Sequence, residues 1–277
     1  WLHLREENGF SLESTREELY AMLCDGSGDA SKIDSVPTLS SKHENVWEKI
    51  LILGNPNNPT GRAISATELE RLAQVCRETH TWLMLDECFQ WFLDTRRECS
   101  FVGNLLNGVG DHVILLNALT KICSMAGLRL GYGIISNAGL RERLEKFRQP
   151  WSVSAPAQAG GVAAFAVLAA HSEGNLLEWT VKSLQTERPR LAEKLEELGF
   201  IVYPSQTNYL LFRSPDEDSR DYKQGCLEHG ILIRACENFE GLNRHYYRVA
   251  VRNRGENERL INILKEVQSE EKHNVNL

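Results

Sequence analysis

The stretch NALTKICSMAGLRLGYG, residues 117–133, places Thr120 beside Lys121 and puts Arg129 eight positions later. A lysine amine, especially a buried one with a depressed pKa, can form a Schiff base with an aldehyde. A guanidinium with a hydroxyl nearby can hold a phosphate, the guanidinium bidentately. Further upstream, Asp86 closes the apolar run TWLMLDE and Asn58 lies in NPNNPTG. A carboxylate can pair with a protonated pyridine nitrogen and make that ring an electron sink. An amide can hydrogen-bond a ring oxygen. Singly, each residue has a plain structural reading: Asp86 as a helix cap, Lys121 as a surface amine, Arg129 as an ion-pair partner. Jointly they describe the protein partners of pyridoxal 5′-phosphate, an aldehyde-bearing phosphorylated cofactor.

These residues fall at the ends of predicted strands, where open α/β sheets bind ligands. EKILILG (48–54), TWLMLDE (81–87), HVILLNAL (112–119) and LRLGYGIIS (128–136) read as strands, the first of them buried and the last opened by Arg129. NPNNPTG (55–61) is loop. Ser14-x-x-Glu17 and Ser65-x-x-Glu68 are capping boxes, the second opening the amphipathic ATELERLAQVCRETH. GLRERLEKFRQ (139–149) is helical, and the Ala- and Gly-rich 155–170 reads as a buried helix, short of the roughly 20 residues that span a bilayer. Strands alternating with helices predict an α/β domain over 1–173 with a mostly parallel central sheet and helices on both faces. Residues 174–277 read as a smaller α+β domain. It comprises a long charged helix (175–198) with a kink or break at Pro189, strands in FIVYP, NYLLF, ILIRA and YYRVAVR, helices near 219–229 and 256–268, and a frayed tail.

Composition narrows the class. A net charge of -7 over 277 residues argues against a broad nucleic-acid surface. The seven cysteines are scattered without a C-x-x-C pair and read as reduced thiols of a cytoplasmic protein. The eight histidines show no metal-type spacing, and the N-terminal WLHLREENGF is too charged for a signal peptide.

NPNNPTG, DECF, TK and GLRLGY, in this order, resemble the class I/II aminotransferase superfamily of fold-type-I pyridoxal-phosphate enzymes, and the match runs along essentially the whole chain. The resemblance implies that Lys121 is the Schiff-base lysine and that Asp86 pairs with the pyridine nitrogen. It implies that Asn58 contacts the ring hydroxyl and that Thr120 and Arg129 hold the phosphate. Arg248 in YYRVAVR would anchor a substrate anion, assisted by Arg234 in ILIRA. Two branches are similar: histidinol-phosphate aminotransferases and threonine-phosphate decarboxylases. Phe89, where aminotransferases usually carry a ring-binding Tyr, favours the decarboxylases, as do RQPWSVSAPAQAG (148–160) and the stretch 231–260 with Arg252. That branch implies decarboxylation of O-phospho-L-threonine in cobalamin biosynthesis. A non-catalytic effector module of the same fold is the alternative of another class. Ser154 and Ala118 depart from the family pattern. The chain begins at Trp1, so the family's N-terminal segment, with its phosphate loop and stacking aromatic, is expected to be missing. A homodimer, a small phosphorylated amino-acid substrate, and no membrane or nucleic-acid partner complete the expectation.

Overall fold

Apolar runs with one polar residue at their ends become neighbouring strands of one sheet. The computed structural model describes residues 6–8, 19, 23, 49–169 and 175–274. The chain divides into two units, Trp1–Asn57 with Ala63–Leu177, and Asn58–Arg62 with Glu178–Leu277. The Ser14–Glu17 capping box lies outside the described residues.

In the first unit, strands β1 (Lys49–Gly54), β2 (Thr81–Asp86), β3 (Val113–Ala118) and β4 (Gly131–Ile134) lie in that order. β1, β2 and β3 are parallel, and β4 runs antiparallel to β3. Helix α1 (Ala66–Glu78) crosses from β1 to β2, capped by Ser65, whose hydroxyl accepts from Glu68 N at 3.3 Å. Its buried face of Leu69, Leu72, Ala73 and Cys76 packs with Leu83, Leu85, Val113 and Leu115 from the sheet, and with Leu19 and Leu23. Two short helices, α2 (Arg96–Cys99) and α3 (Val102–Leu106), bring Phe101 and Leu105 into the same core.

Three expectations change here. β1 is not buried on both faces: among the described residues it ends the strand order, and Ile52 is 66% exposed while Leu51 and Leu53 pack inward. Arg129 does not open β4 but ends a 3-10 turn (Ala126–Leu128) in the left-handed region at φ 53, two residues before the strand. The Ala-rich helix, α5 (Ala155–Ala169) after α4 (Ala138–Phe147), is not buried: Val162 is 74% exposed, and only small residues such as Gly161 face inward. A Cβ at Gly161 would lie 2.5 Å from Leu130 Cδ2, so it is close approach, not apolarity, that selects this face.

In the second unit, β5 (Ile201–Val202), β6 (Tyr209–Arg213), β8 (Tyr246–Ala250) and β7 (Arg234–Ala235) form an antiparallel sheet in that order. Helices α6 (Leu176–Glu197), α7 (Tyr222–Glu228) and α8 (Arg254–Asn274) accompany it. Phe200, Phe212, Tyr222 and Tyr247 make a chain of ring contacts at 4.9–5.8 Å. α6 continues through Pro189 without a break, with Leu184, Leu191 and Leu195 buried on either side of it. The expected frayed tail is helical to Asn274. Among the described residues no helix is long and apolar enough to cross a membrane.

Gly61 ties the Asn58–Arg62 segment into this unit. It sits at φ 75, its carbonyl accepts from Gln206 N at 2.9 Å, and an added Cβ would meet Ser205 Oγ at 2.1 Å. Gly61→Ala is expected to lower the unfolding free energy by about 1–3 kcal/mol, through left-handed backbone strain and the Ser205 clash. Urea denaturation measures it.

Candidate active site

The parallel strands β1, β2 and β3 finish at one edge of the sheet, and the chain beyond each carries the polar groups. Gly54 stands opposite Asp86, and Asp86 opposite Leu116. Asp86 is exposed, and its Oδ1 accepts from Cys88 N at 2.9 Å. The Cys88 thiol also donates to Asp86. Burial first, then Asp86, pushes that thiol up to about 12 against the downward pull of the Lys121 ammonium. Asp86 and Lys121 therefore both act on the Cys88 thiol.

Lys121 lies in a turn after β3. Cys123 N donates to Leu119 O at 3.1 Å, Ser124 N to Lys121 O at 3.2 Å, and Met125 N to Thr120 O at 3.1 Å. The Lys121 side chain is exposed rather than buried, and its Nζ is 5.8 Å from the centroid of the Phe89 ring, within cation–π range. Phe89 in turn precedes a 3-10 turn (Gln90–Phe92). The structure thus brings Asp86, Phe89 and Lys121 together, with Thr120 beside the lysine. Arg129 belongs to the same segment, and its Nη1 donates to Ala126 O at 3.1 Å. Ser124 and Arg129 both hold φ 53, a costly conformation for residues other than glycine that concentrates at ligand sites.

Several polar residues here escaped the sequence reading. Glu87 is 1% exposed, and its carboxylate accepts from Ser100 Oγ at 2.7 Å and Phe101 N at 2.8 Å. Asn117, within β3, accepts from Trp91 Nε1 at 2.9 Å and from Ala118 N at 2.8 Å. Tyr132 stands opposite Asn117 on β4, and its hydroxyl is pushed up to about 12 by burial, then by Glu87 and Cys88. The available signal was a polar residue inside or just after an apolar run, which burial tolerates only with partners.

The second unit carries the other three candidates. Arg248, within β8, donates through Nη1 to Asn58 Oδ1 and lies 5.1 Å from the Tyr209 ring centroid. Arg234, within β7, is directly opposite Arg248. It donates through Nη2 to Asn238 Oδ1 at 2.9 Å. Burial pushes the Cys236 thiol up to about 11, while both guanidiniums pull it down, which places both cations on the same surroundings. Among the described residues neither guanidinium has a carboxylate partner. Like charges directly opposite across a ladder destabilise it.

The profile of the family described as Aminotransferase class I and II matches residues 27–264. A threonine-phosphate decarboxylase of Salmonella typhimurium is 37% identical over 218 residues, covering 78% of this chain and 57% of that protein. The chain thus spans little more than half the length of that relative. The crystal structure of an L-threonine-O-3-phosphate decarboxylase from Porphyromonas gingivalis superposes with a TM-score of 0.69 at 25% identity, over 83% of this chain and 68% of that one. A histidinol-phosphate aminotransferase from Sinorhizobium meliloti, solved in complex with pyridoxal-5′-phosphate, superposes with a TM-score of 0.65 at 26% identity, over 79% of this chain and 56% of that one. With its parallel strand ends, its lysine and its aspartate in the family's order, the chain belongs to the class I and II aminotransferase family.

Proposed function

We propose that the protein uses pyridoxal phosphate to decarboxylate O-phospho-L-threonine, giving carbon dioxide and 1-amino-2-propanol phosphate. The observation that carries the substrate class is the cross-strand pair Arg234–Arg248, two cations facing one another with no carboxylate between them among the described residues. A phosphate dianion matches two guanidiniums in charge and in donor geometry. The 37% identical relative, named a threonine-phosphate decarboxylase, supports the same substrate.

The donor set of the first unit fits the cofactor. It has an amine at Lys121, a carboxylate at Asp86, a hydroxyl and a guanidinium at Thr120 and Arg129, and an aromatic face at Phe89, with the Cys88 thiol sensing both Asp86 and Lys121. When bound, pyridoxal phosphate supplies an aldehyde and a ring that accepts the electron pair left at the substrate Cα. Lys121 Nζ would bind the aldehyde carbon, and Asp86 would hold the proton on the ring nitrogen. Thr120 and Arg129 would grip the cofactor phosphate, and Asn58 would hydrogen-bond the ring oxygen. Arg234 and Arg248 would hold the substrate phosphate rather than its carboxylate. That grip would leave the substrate carboxylate without a cationic partner, free to be lost as carbon dioxide, its bonding electron pair remaining at Cα. Lys121 would then return a proton to Cα. A role in cobalamin biosynthesis is part of this proposal, as the resemblance implies.

Aminotransfer from histidinol phosphate is the second reading, favoured by the similarity to the Sinorhizobium meliloti enzyme. A homodimer is proposed as well: Trp151 is 96% exposed and stands with exposed Phe147, Val162 and Phe165 in the α4–α5 region, the kind of apolar surface that a subunit contact covers.

Carbon dioxide release from O-phospho-L-threonine, measured with and without 2-oxoglutarate in the full-length protein, separates the two activities. Release independent of the keto acid is expected. Glutamate formation with histidinol phosphate, and no carbon dioxide release, would move the protein to the aminotransferase branch. Lys121→Ala is expected to abolish turnover; a variant at wild-type rates sinks the assignment. Arg248→Ala is expected to raise KM for the phosphorylated substrate about 10- to 100-fold through loss of charge-assisted hydrogen bonds. Sedimentation of Trp151→Asp is expected to show monomer where the wild type shows dimer.

A further inference from the structure

Asp86 is exposed, and the bonds that orient it come from behind. The chain at the end of β2 sends Asp86 to one side and Glu87 to the other, as extended backbone requires. Glu87 N donates to Leu116 O at 2.8 Å, prolonging the pairing with β3 by one residue. Its carboxylate takes Phe101 N on Oε1 at 2.8 Å and Ser100 Oγ on Oε2 at 2.7 Å. One strand over, fully buried Asn55 follows β1. Its Nδ2 donates to Cys99 O at 2.7 Å, and its Oδ1 accepts from Ile64 N at 2.8 Å. The two strand ends are also joined directly, because Asn55 N donates to Asp86 O at 2.9 Å.

Three consecutive residues, Cys99 to Phe101, are therefore gripped by side chains from two adjacent strand ends, and the bond between those ends runs through the carbonyl of Asp86 itself. Removing one member of such a buried network leaves its partners unpaired, at a cost that falls on the backbone they hold. We propose that this Asn55–Glu87 clasp positions Asp86 for the ring nitrogen, with Glu87 as its central positioning residue. The proposal rests on the reading of Asp86 as the partner of that nitrogen.

The electrostatics agree with the geometry. Burial raises Glu87 from an ordinary 4.5 to about 7; the Phe101 and Ser100 bonds pull it down, and the Asp86 charge pushes it up. The other titratable groups facing it are Tyr132 on β4, pushed up to about 12, and Cys99, raised mainly by burial, so both stay neutral from pH 5.5 to 8. Between 4.5 and about 7 the folded state binds the extra proton. The cost of the buried charge is thus present in full above about pH 7 and is relieved as pH falls.

The test uses Glu87→Gln, Glu87→Ala and Asp86→Ala in the full-length protein. The wild type is expected to gain melting temperature relative to Glu87→Gln as pH drops from 8 to 5.5; a constant difference overturns the clasp. At temperatures where the variants are folded, pyridoxal phosphate is compared with its analogue carrying CH in place of the ring nitrogen. Glu87→Ala is expected to weaken the first about tenfold and leave the second unchanged, with no further loss on the Asp86→Ala background. Equal losses for both ligands, or losses that add to those of Asp86→Ala, overturn the positioning role. Should Glu87→Ala not fold, Ser100→Ala is read in the same way. A wild type that shows no preference between the two ligands sinks the reading of Asp86, and the positioning role with it. A wild-type preference that survives in Glu87→Ala sinks the positioning role alone.

Discussion

Everything in the first unit depends on three parallel strands ending together and being bonded at their ends. Pairing in register brings Gly54, Asp86 and Leu116 to one line. The backbone bonds Asn55 N to Asp86 O and Glu87 N to Leu116 O carry that alignment one residue past the strands. Parallel ladders alone do not determine where side chains at the edge point. Here buried polar groups do, because an unmatched carboxylate or amide in the core costs more than the rearrangement that would satisfy it. The exposed acid can be polar because the acid behind it is held.

The second unit solves a different problem, that of keeping two cations opposite each other. A two-residue strand, β7, is enough to set Arg234 against Arg248. The guanidiniums are supported by amide oxygens and by ring faces, Tyr209 under Arg248 and Phe239 beside Arg234, rather than by carboxylates. Amides and rings orient a cation without cancelling its charge, which leaves the charge available to a phosphate. Elsewhere in this unit arginine is neutralised: Arg190 is shared between Glu187 and Glu258, and Arg220 is paired with Asp218. Arg234 and Arg248 differ from these two in having amide and ring partners in place of carboxylates.

Several features follow from this division of labour between faces. α5 is apolar along its length, yet it presents only its smallest residues inward, because Leu128 and Leu130 already occupy the space beneath it. β1 shows the same asymmetry, with Leu51 and Leu53 in the core and Ile50 and Ile52 outside. In both cases hydrophobicity was visible in the residues, but which face is covered depends on what else reaches it, and a single chain's composition does not say. Pro189 is the converse: a helix breaker by its covalent structure, it sits inside an unbroken α6 because Leu184, Leu191 and Leu195 hold the turns around it.

The sequence by itself determined the order of elements and the alternation that makes a parallel sheet, because strand periodicity and turn residues are local properties of the chain; it offered Asp86, Lys121, Asn58 and Arg129 as candidates by their types and placement, and Arg248 by resemblance to the family. Only the tertiary structure decided that Arg234 and Arg248 face each other, that Cys88 feels the charges of both Asp86 and Lys121, and that Glu87 and Asn55 converge on residues 99–101. Those are contacts between residues up to 44 positions apart. Glu87 reads as an ordinary acid beside a functional one, and Asn55 as one of three asparagines in a loop. What distinguishes them is burial with satisfied hydrogen bonds, and burial is a property of the packed chain rather than of any segment in it.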